Sequence, residues 1–176
     1  MSENLKATYR KLSPELRARY RQRFATMIAE LVVYEELTAR RHRVSFKTGP
    51  GNYDLLVNGK RVEVKACNTD FEWIARSRNP MYPGCSEIMP NQFDILIYVE
   101  FSDTMDVIDF FIFTRREALT LPFTHQERTG YAKRYQLSES RTLNNPFTTE
   151  RLRITQQEAD RLNAILFDSN NAWDKI

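Results

Sequence analysis

The dipeptide Asn58-Gly59 separates two short alternating stretches, Tyr53-Asp54-Leu55-Leu56-Val57 and Lys60-Arg61-Val62-Glu63-Val64-Lys65. A two-residue type I′ turn needs positive φ at both central positions, and Asn-Gly supplies them at little steric cost. This segment is therefore read as a tight antiparallel hairpin, and the turn fixes its register. Val57 pairs with Lys60, Leu56 with Arg61, Leu55 with Val62 and Asp54 with Glu63. A slip of one residue would turn every side chain over. Alternation places Tyr53, Leu55, Val57, Val62 and Val64 on one apolar face, and Asp54, Glu63 and Lys65 together on the other.

Upstream, Ser13 followed by Pro14 is a suitable N-cap and first-turn pair. Leu16, Tyr20, Phe24, Met27, Leu31, Tyr34 and Thr38 then recur at three- and four-residue spacing, which predicts a helix from Pro14 to about Arg41 with that stripe facing inward. A short strand follows near Val44 to Lys47. Beyond Lys65 a long segment is expected to hold a short helix and a Pro-rich loop. Phe93 to Phe101 and Val107 to Thr114 read as strands joined through Ser102 to Asp106. Residues 121–149 are polar and irregular in pattern. Thr155 with Glu158 forms a capping box for a last helix ending near Phe167, followed by a tail with Trp173. The order of helix, strands, mixed segment, strands and helix predicts an α/β fold with a central mixed β-sheet flanked by helices. At 176 residues it forms one domain, 1–176, with a core over about 14–115 and a C-terminal extension whose helix spans about 155–167.

The net charge of +3 names no partner by itself. Its distribution says more: residues 1–50 carry 11 Lys/Arg against 5 Asp/Glu, a net of +6, and the remainder is net −3. The basic end is the place to look for a phosphate partner. Cys67 and Cys85 are too few for a disulfide scaffold, and the start lacks an apolar signal region, which points to a cytoplasmic protein with reduced thiols. The apolar runs are strand-length and interrupted by acids, so no membrane segment is expected.

The triplet Glu63-Val64-Lys65 means little alone, since 23 acids and 7 lysines produce an acid two places before a lysine about once by chance. The hairpin changes its meaning. It sets two carboxylates opposite each other with Cβ atoms roughly 5 Å apart, where like charges destabilise a sheet. A hard divalent cation would compensate. Mg²⁺ takes one or two carboxylates and keeps waters for the rest of its octahedron, so Asp54, Glu63 and the backbone carbonyl of Val64 are its candidate ligands. Lys65, on the same face, would favour deprotonation of a bound water or stabilise charge on a phosphate oxygen. The plainer account is the solvated face of an ordinary hairpin with Lys65 paired to Glu63. The facing of two acids weighs against it.

These residues resemble the PD-(D/E)xK nuclease superfamily, which includes many restriction endonucleases and Holliday junction resolvases. The shared pattern is a helix bearing a glutamate, a strand bearing an aspartate, and a next strand reading acid-any-lysine. Here these are the helix around Met27-Ile28-Ala29-Glu30-Leu31, Asp54 in NYDLLV, and Glu63 and Lys65 in RVEVKA. Tyr53 stands where the family often has proline. The resemblance implies a restriction-endonuclease-like core and a Mg²⁺-dependent DNA endonuclease, with Mn²⁺ as a substitute metal and a 5′-phosphate product. Asp54, Glu63 and Lys65 would be its catalytic residues. The helix glutamate would be a further ligand or would orient a water; Glu30 is the first choice, beside the inward stripe, and Glu35 the second. One site per chain suggests a homodimer for cutting both strands of a duplex. Restriction-type cleavage is the favoured form. Junction resolution and a non-catalytic nucleic-acid-binding module on the same fold remain as alternatives.

Arg40, Arg41 and Arg43 adjoin this site in sequence and are candidate phosphate contacts, as is Lys47. Arg76 and Arg78, interleaved with Phe71, Trp73 and Tyr82, could line a groove for DNA. Arg17, Arg19, Arg21 and Arg23 fit a solvated helix face at least as well. Neither His42 nor His125 suggests a general base or a zinc site.

Overall fold

Two helices precede the sheet: α1 (Ser2–Arg10) and α2 (Pro14–Ala39). They belong to a computed structural model that describes residues 1–49, 53–68, 92–120, 123–126, 131–134, 136–137, 142–144, 151–153 and 156–176. The Ser13 hydroxyl accepts the N–H of Leu16 at 3.4 Å, and Pro14 occupies the first turn, where its missing N–H costs nothing. At the other end Arg41 adopts a left-handed φ of 66°, the N–H of His42 donates to the carbonyl of Leu37 and that of Arg41 to Thr38. This is a Schellman ending, built on an arginine where glycine is usual.

The inward face of α2 differs from the expected one. Ala25, Ile28, Ala29, Val32, Val33 and Leu37 are buried, whereas Leu16 is 40% and Met27 53% exposed. The helix carries two apolar stripes, and a period of 3.6 fits both. The sheet takes the one whose alanines allow close approach and whose branched side chains fill the space between. Helix α1, which was not anticipated, lies along one flank of α2, with Tyr9 against Phe24 at 5.3 Å between ring centroids.

The sheet holds β1 (Val44–Phe46), β2 (Leu55–Val57), β3 (Lys60–Asn68), β4 (Ile95–Phe101) and β5 (Val107–Thr114) in that spatial order. Strands β3 and β4 run parallel and the other neighbours antiparallel, which makes the sheet mixed as expected. The hairpin turn is as read, with φ of 51° at Asn58 and 88° at Gly59, and Val57 pairs Lys60, Leu56 pairs Arg61 and Leu55 pairs Val62. The fourth pair, Asp54 with Glu63, does not form. The chain bends at Asp54, whose N–H donates to the carbonyl of Val62, so the ladder stops one residue early. At the start of the parallel pair, Arg61 donates from its backbone and guanidinium to the Asp94 carboxylate at 2.8–3.1 Å. This clamp sets the register in which Glu63 faces Leu96 and Lys65 faces Tyr98.

Leu55, Val57, Val62, Val64, Ile95, Ile97, Val99 and Ile112 join the buried side of α2 in one core. Strand alternation turns Glu63, Lys65, Leu96, Tyr98 and Glu100 to the reverse face. Beyond β5 come α3 (Arg115–Thr120), the paired strands β6 (Phe123–Gln126) and β7 (Tyr131–Arg134), and a small sheet of β8 (Gln136–Leu137), β9 (Thr142–Asn144) and β10 (Arg151–Arg153). The irregular reading of 121–149 therefore missed short strand pairs. Helix α4 (Gln156–Phe167) ends where expected; Thr155 of its capping box, and the short helix and Pro-rich loop placed after Lys65, lie outside the described residues.

The C-terminal segment is part of the core and no loose tail. Trp173 is 8% exposed, its ring lies edge-on to Phe110 at 4.8 Å, and the Arg40 guanidinium sits 4.8 Å above it. Lys175 Nζ reaches the Glu117 carboxylate at 2.8 Å. Among the described residues no helix is long and apolar enough to cross a membrane.

Candidate active site

The bend that ends β2 early determines what Asp54 does. Its Oδ2 accepts the backbone N–H of Val64 at 2.7 Å, so the carboxylate lies across the Glu63-Val64-Lys65 segment of β3 and serves as the hydrogen-bond partner that a continued ladder would have supplied. Glu63 is 8% exposed and forms an ion pair with Lys65, two residues along the same face. Both acids are held above their ordinary pKa. For Asp54 burial is the main cause, opposed by the Val64 N–H and by Lys65 and Lys47. For Glu63 burial again leads; Lys65 opposes it and the Asp54 charge reinforces it.

Glu30 belongs to the same electrostatic group. It emerges from α2 at the margin of the buried stripe, on the flank where Tyr34 stacks on Phe46 of β1 at 4.7 Å, and this flank faces the start of β2. Burial, then Asp54, then Glu63 push its carboxyl up to about 7, against the pull of Lys65. Glu35 lies on the opposite flank and is otherwise engaged. Burial would raise it, but the Met1 ammonium at 2.6 Å and the Ser2 backbone N–H and hydroxyl outweigh that and hold it down at about 2.

Lys47, at the end of β1, lies with its ammonium 5.8 Å from the Tyr53 ring centroid and lowers both Asp54 and Glu63. Arg41 and Arg43 are exposed. Arg40 instead pairs with Glu36 at 2.7 Å beneath its contact with Trp173. Arg21 pairs with Asp103 at 2.6 Å, away from the site. Arg76 and Arg78 lie outside the described residues. Glu100, 4% exposed and facing Cys67 in the register, is a further buried acid on the Glu63 face. Reading it as an interruption of an apolar run hid that placement, although strand alternation could have found it.

Among the described residues no three His, Cys, Asp or Glu side chains gather closely enough to ligate a metal ion. The two central acids are turned to protein partners, Glu63 to Lys65 and Asp54 to Val64. The donors are nonetheless all oxygen, two carboxylates with a third nearby. A hydrated hard cation needs one or two carboxylates, so the donor chemistry fits Mg²⁺ or Mn²⁺. Raised pKa values on neighbouring acids are what such a cation would relieve.

The sequence matches no protein-family model and no curated protein. The chain is similar to the solved structure of a bacterial homing endonuclease, I-Ssp6803I, with a TM-score of 0.45 and 15% identity over 86% of this chain and 90% of that one.

Proposed function

We propose that the chain is a PD-(D/E)xK-type, Mg²⁺-dependent DNA endonuclease. One observation carries this reading: Glu30, Asp54 and Glu63 form a single group of partly buried acids around Lys65, each held above its ordinary pKa. A solvated hairpin face would give its acids ordinary values. Asp54, Glu63 and the Val64 carbonyl would hold Mg²⁺, with Mn²⁺ as a substitute. The ion would supply Lewis-acid polarisation of the phosphate and an acidified water.

The chain's own groups do the rest. Once Glu63 is drawn to a cation, Lys65 Nζ is released to donate to a phosphate oxygen as negative charge builds there. Glu30, with a pKa of about 7, is placed to orient the attacking water or take its proton. Water oxygen bonds to phosphorus as the bond to the 3′ oxygen breaks, leaving a 5′-phosphate. Arg41, Arg43 and Lys47 line the approach for the phosphodiester backbone. Restriction-type cutting of both strands needs two such sites, and so two copies. Junction cleavage uses the same chemistry on another DNA form.

A second reading is a nucleic-acid-binding module that does not cut. It is favoured by the Glu63–Lys65 and Asp54–Val64 pairings, which satisfy both acids without a cation. Plasmid cleavage in Mg²⁺, Mn²⁺, Ca²⁺ or EDTA separates the two. Nicking or linearisation with Mg²⁺ or Mn²⁺ is expected, with losses of at least about 100-fold in Asp54→Ala, Glu63→Ala and Lys65→Ala. Equal cleavage by all four proteins would refute the site. Salt-sensitive binding with no cleavage of linear, supercoiled or branched DNA would establish the module.

A further inference from the structure

Helix α2 buries one of its two apolar stripes, and the other faces outward. Leu16 is 40% and Met27 53% exposed, Tyr20, Leu31 and Tyr34 are partly exposed, and the stacked Phe46 carries the strip onto β1. Scattered apolar residues on a surface need no explanation, but a continuous strip along a helix of 26 residues does. We infer that this outer strip of α2 pairs two copies of the chain, the helices running antiparallel about a two-fold axis through Met27.

The spacing of the strip favours a second copy over another partner. Leu16 and Tyr20 lie eleven and seven residues before Met27, and Tyr34 and Thr38 lie seven and eleven residues after it. A two-fold axis at Met27 therefore sets Met27 on Met27, Tyr20 on Tyr34 and Leu16 on the Thr38 methyl. An isologous interface demands such self-matching, and a foreign partner would not.

Charge points the same way. The half of α2 before Met27 carries Arg17, Arg19, Arg21 and Arg23 against one acid, Glu15. The half after it carries Glu30, Glu35 and Glu36 and no base. An antiparallel pair lays the arginine half along the acidic half twice over; a parallel pair would set arginines on arginines. Part of this charge is already engaged within the chain, Arg21 with Asp103 and Glu36 with Arg40. Arg19 and Arg23 are exposed on the helix. A single helix face is narrower than the roughly 800 Å² per partner of standard interfaces, so the dimer dissociates on dilution.

The proposal shares the pairing of two copies with the functional reading but does not need cleavage, and its test reads mass. Sedimentation equilibrium to about 200 μM should show the 20.8 kDa chain passing to a dimer. Met27→Glu should remain a monomer with an unchanged circular dichroism spectrum, and Met27→Leu should restore pairing. Met27→Cys should cross-link to itself under mild oxidation, with the wild type as control for Cys67 and Cys85. A wild type that is monomeric throughout would overturn the proposal. So would a dimer that survives Met27→Glu, or a dimeric Met27→Cys that fails to cross-link.

Discussion

Glu30 is the residue whose setting can be tested most directly by pH. Its carboxyl ionises near 4.5 in the unfolded chain and at about 7 in the fold. The stability it contributes is therefore complete below pH 4.5 and is lost as pH rises through 7. Glu30→Gln, which cannot ionise, should match the wild type near pH 4.5 and exceed it at pH 8 by on the order of 2 kcal/mol. Urea titrations in EDTA at the two pH values measure this; an unchanged difference would mean that Glu30 does not sit among the other acids. Sequence placed Glu30 at a stripe margin for a reason only half right. The stripe used was the exposed one, yet Glu30 borders both stripes, which lie on opposite sides of α2. The mutual influence of Glu30, Asp54 and Glu63 arises from the packing of α2 on the sheet, which no local pattern encodes.

At the scale of elements, two left-handed residues make opposite predictions. Gly59 has a φ of 88° and open space where a Cβ would stand, so Gly59→Ala should cost about 1 kcal/mol from backbone strain alone. Arg41 holds a φ of 66° at the end of α2, so Arg41→Gly should gain about 0.5 kcal/mol while weakening any phosphate contact there. Thermal melts of both variants, and a salt series of DNA affinity for the second, check the pair. The hairpin was legible because Asn58-Gly59 admits one turn type, and the start of α2 because Ser13-Pro14 caps it. The bend at Asp54 was not legible, since it depends on which carbonyl of β3 takes its N–H. Nor was α1, whose helix has no side-chain cap and is held by Tyr9 on Phe24 and by Ser2 on Glu35. The capping signal near Thr155 located the last helix, while the role of Trp173 depends on Phe110 and Arg40, distant in sequence.

For the whole molecule, the C-terminal turn closes the core against both α2 and β5. Trp173→Ala should cost about 3 kcal/mol or more, measured by denaturant titration, because it empties a packed site between Phe110 and Arg40. Equal stability would place the turn outside the cooperative unit. The five strands put β3 in the middle, bonded to β2 on one side and β4 on the other. Amides between two ladders exchange with solvent last, so the chain segment bearing Glu63 and Lys65 should share the slowest exchange in the molecule. One amide there stands apart. The Val64 N–H is bonded to the Asp54 side chain, so its proton resonance and its exchange rate follow the state of that carboxylate. A cation or a proton taken up by Asp54 would thus be visible at a single backbone peak, in a protein too stable at that point to have opened by itself.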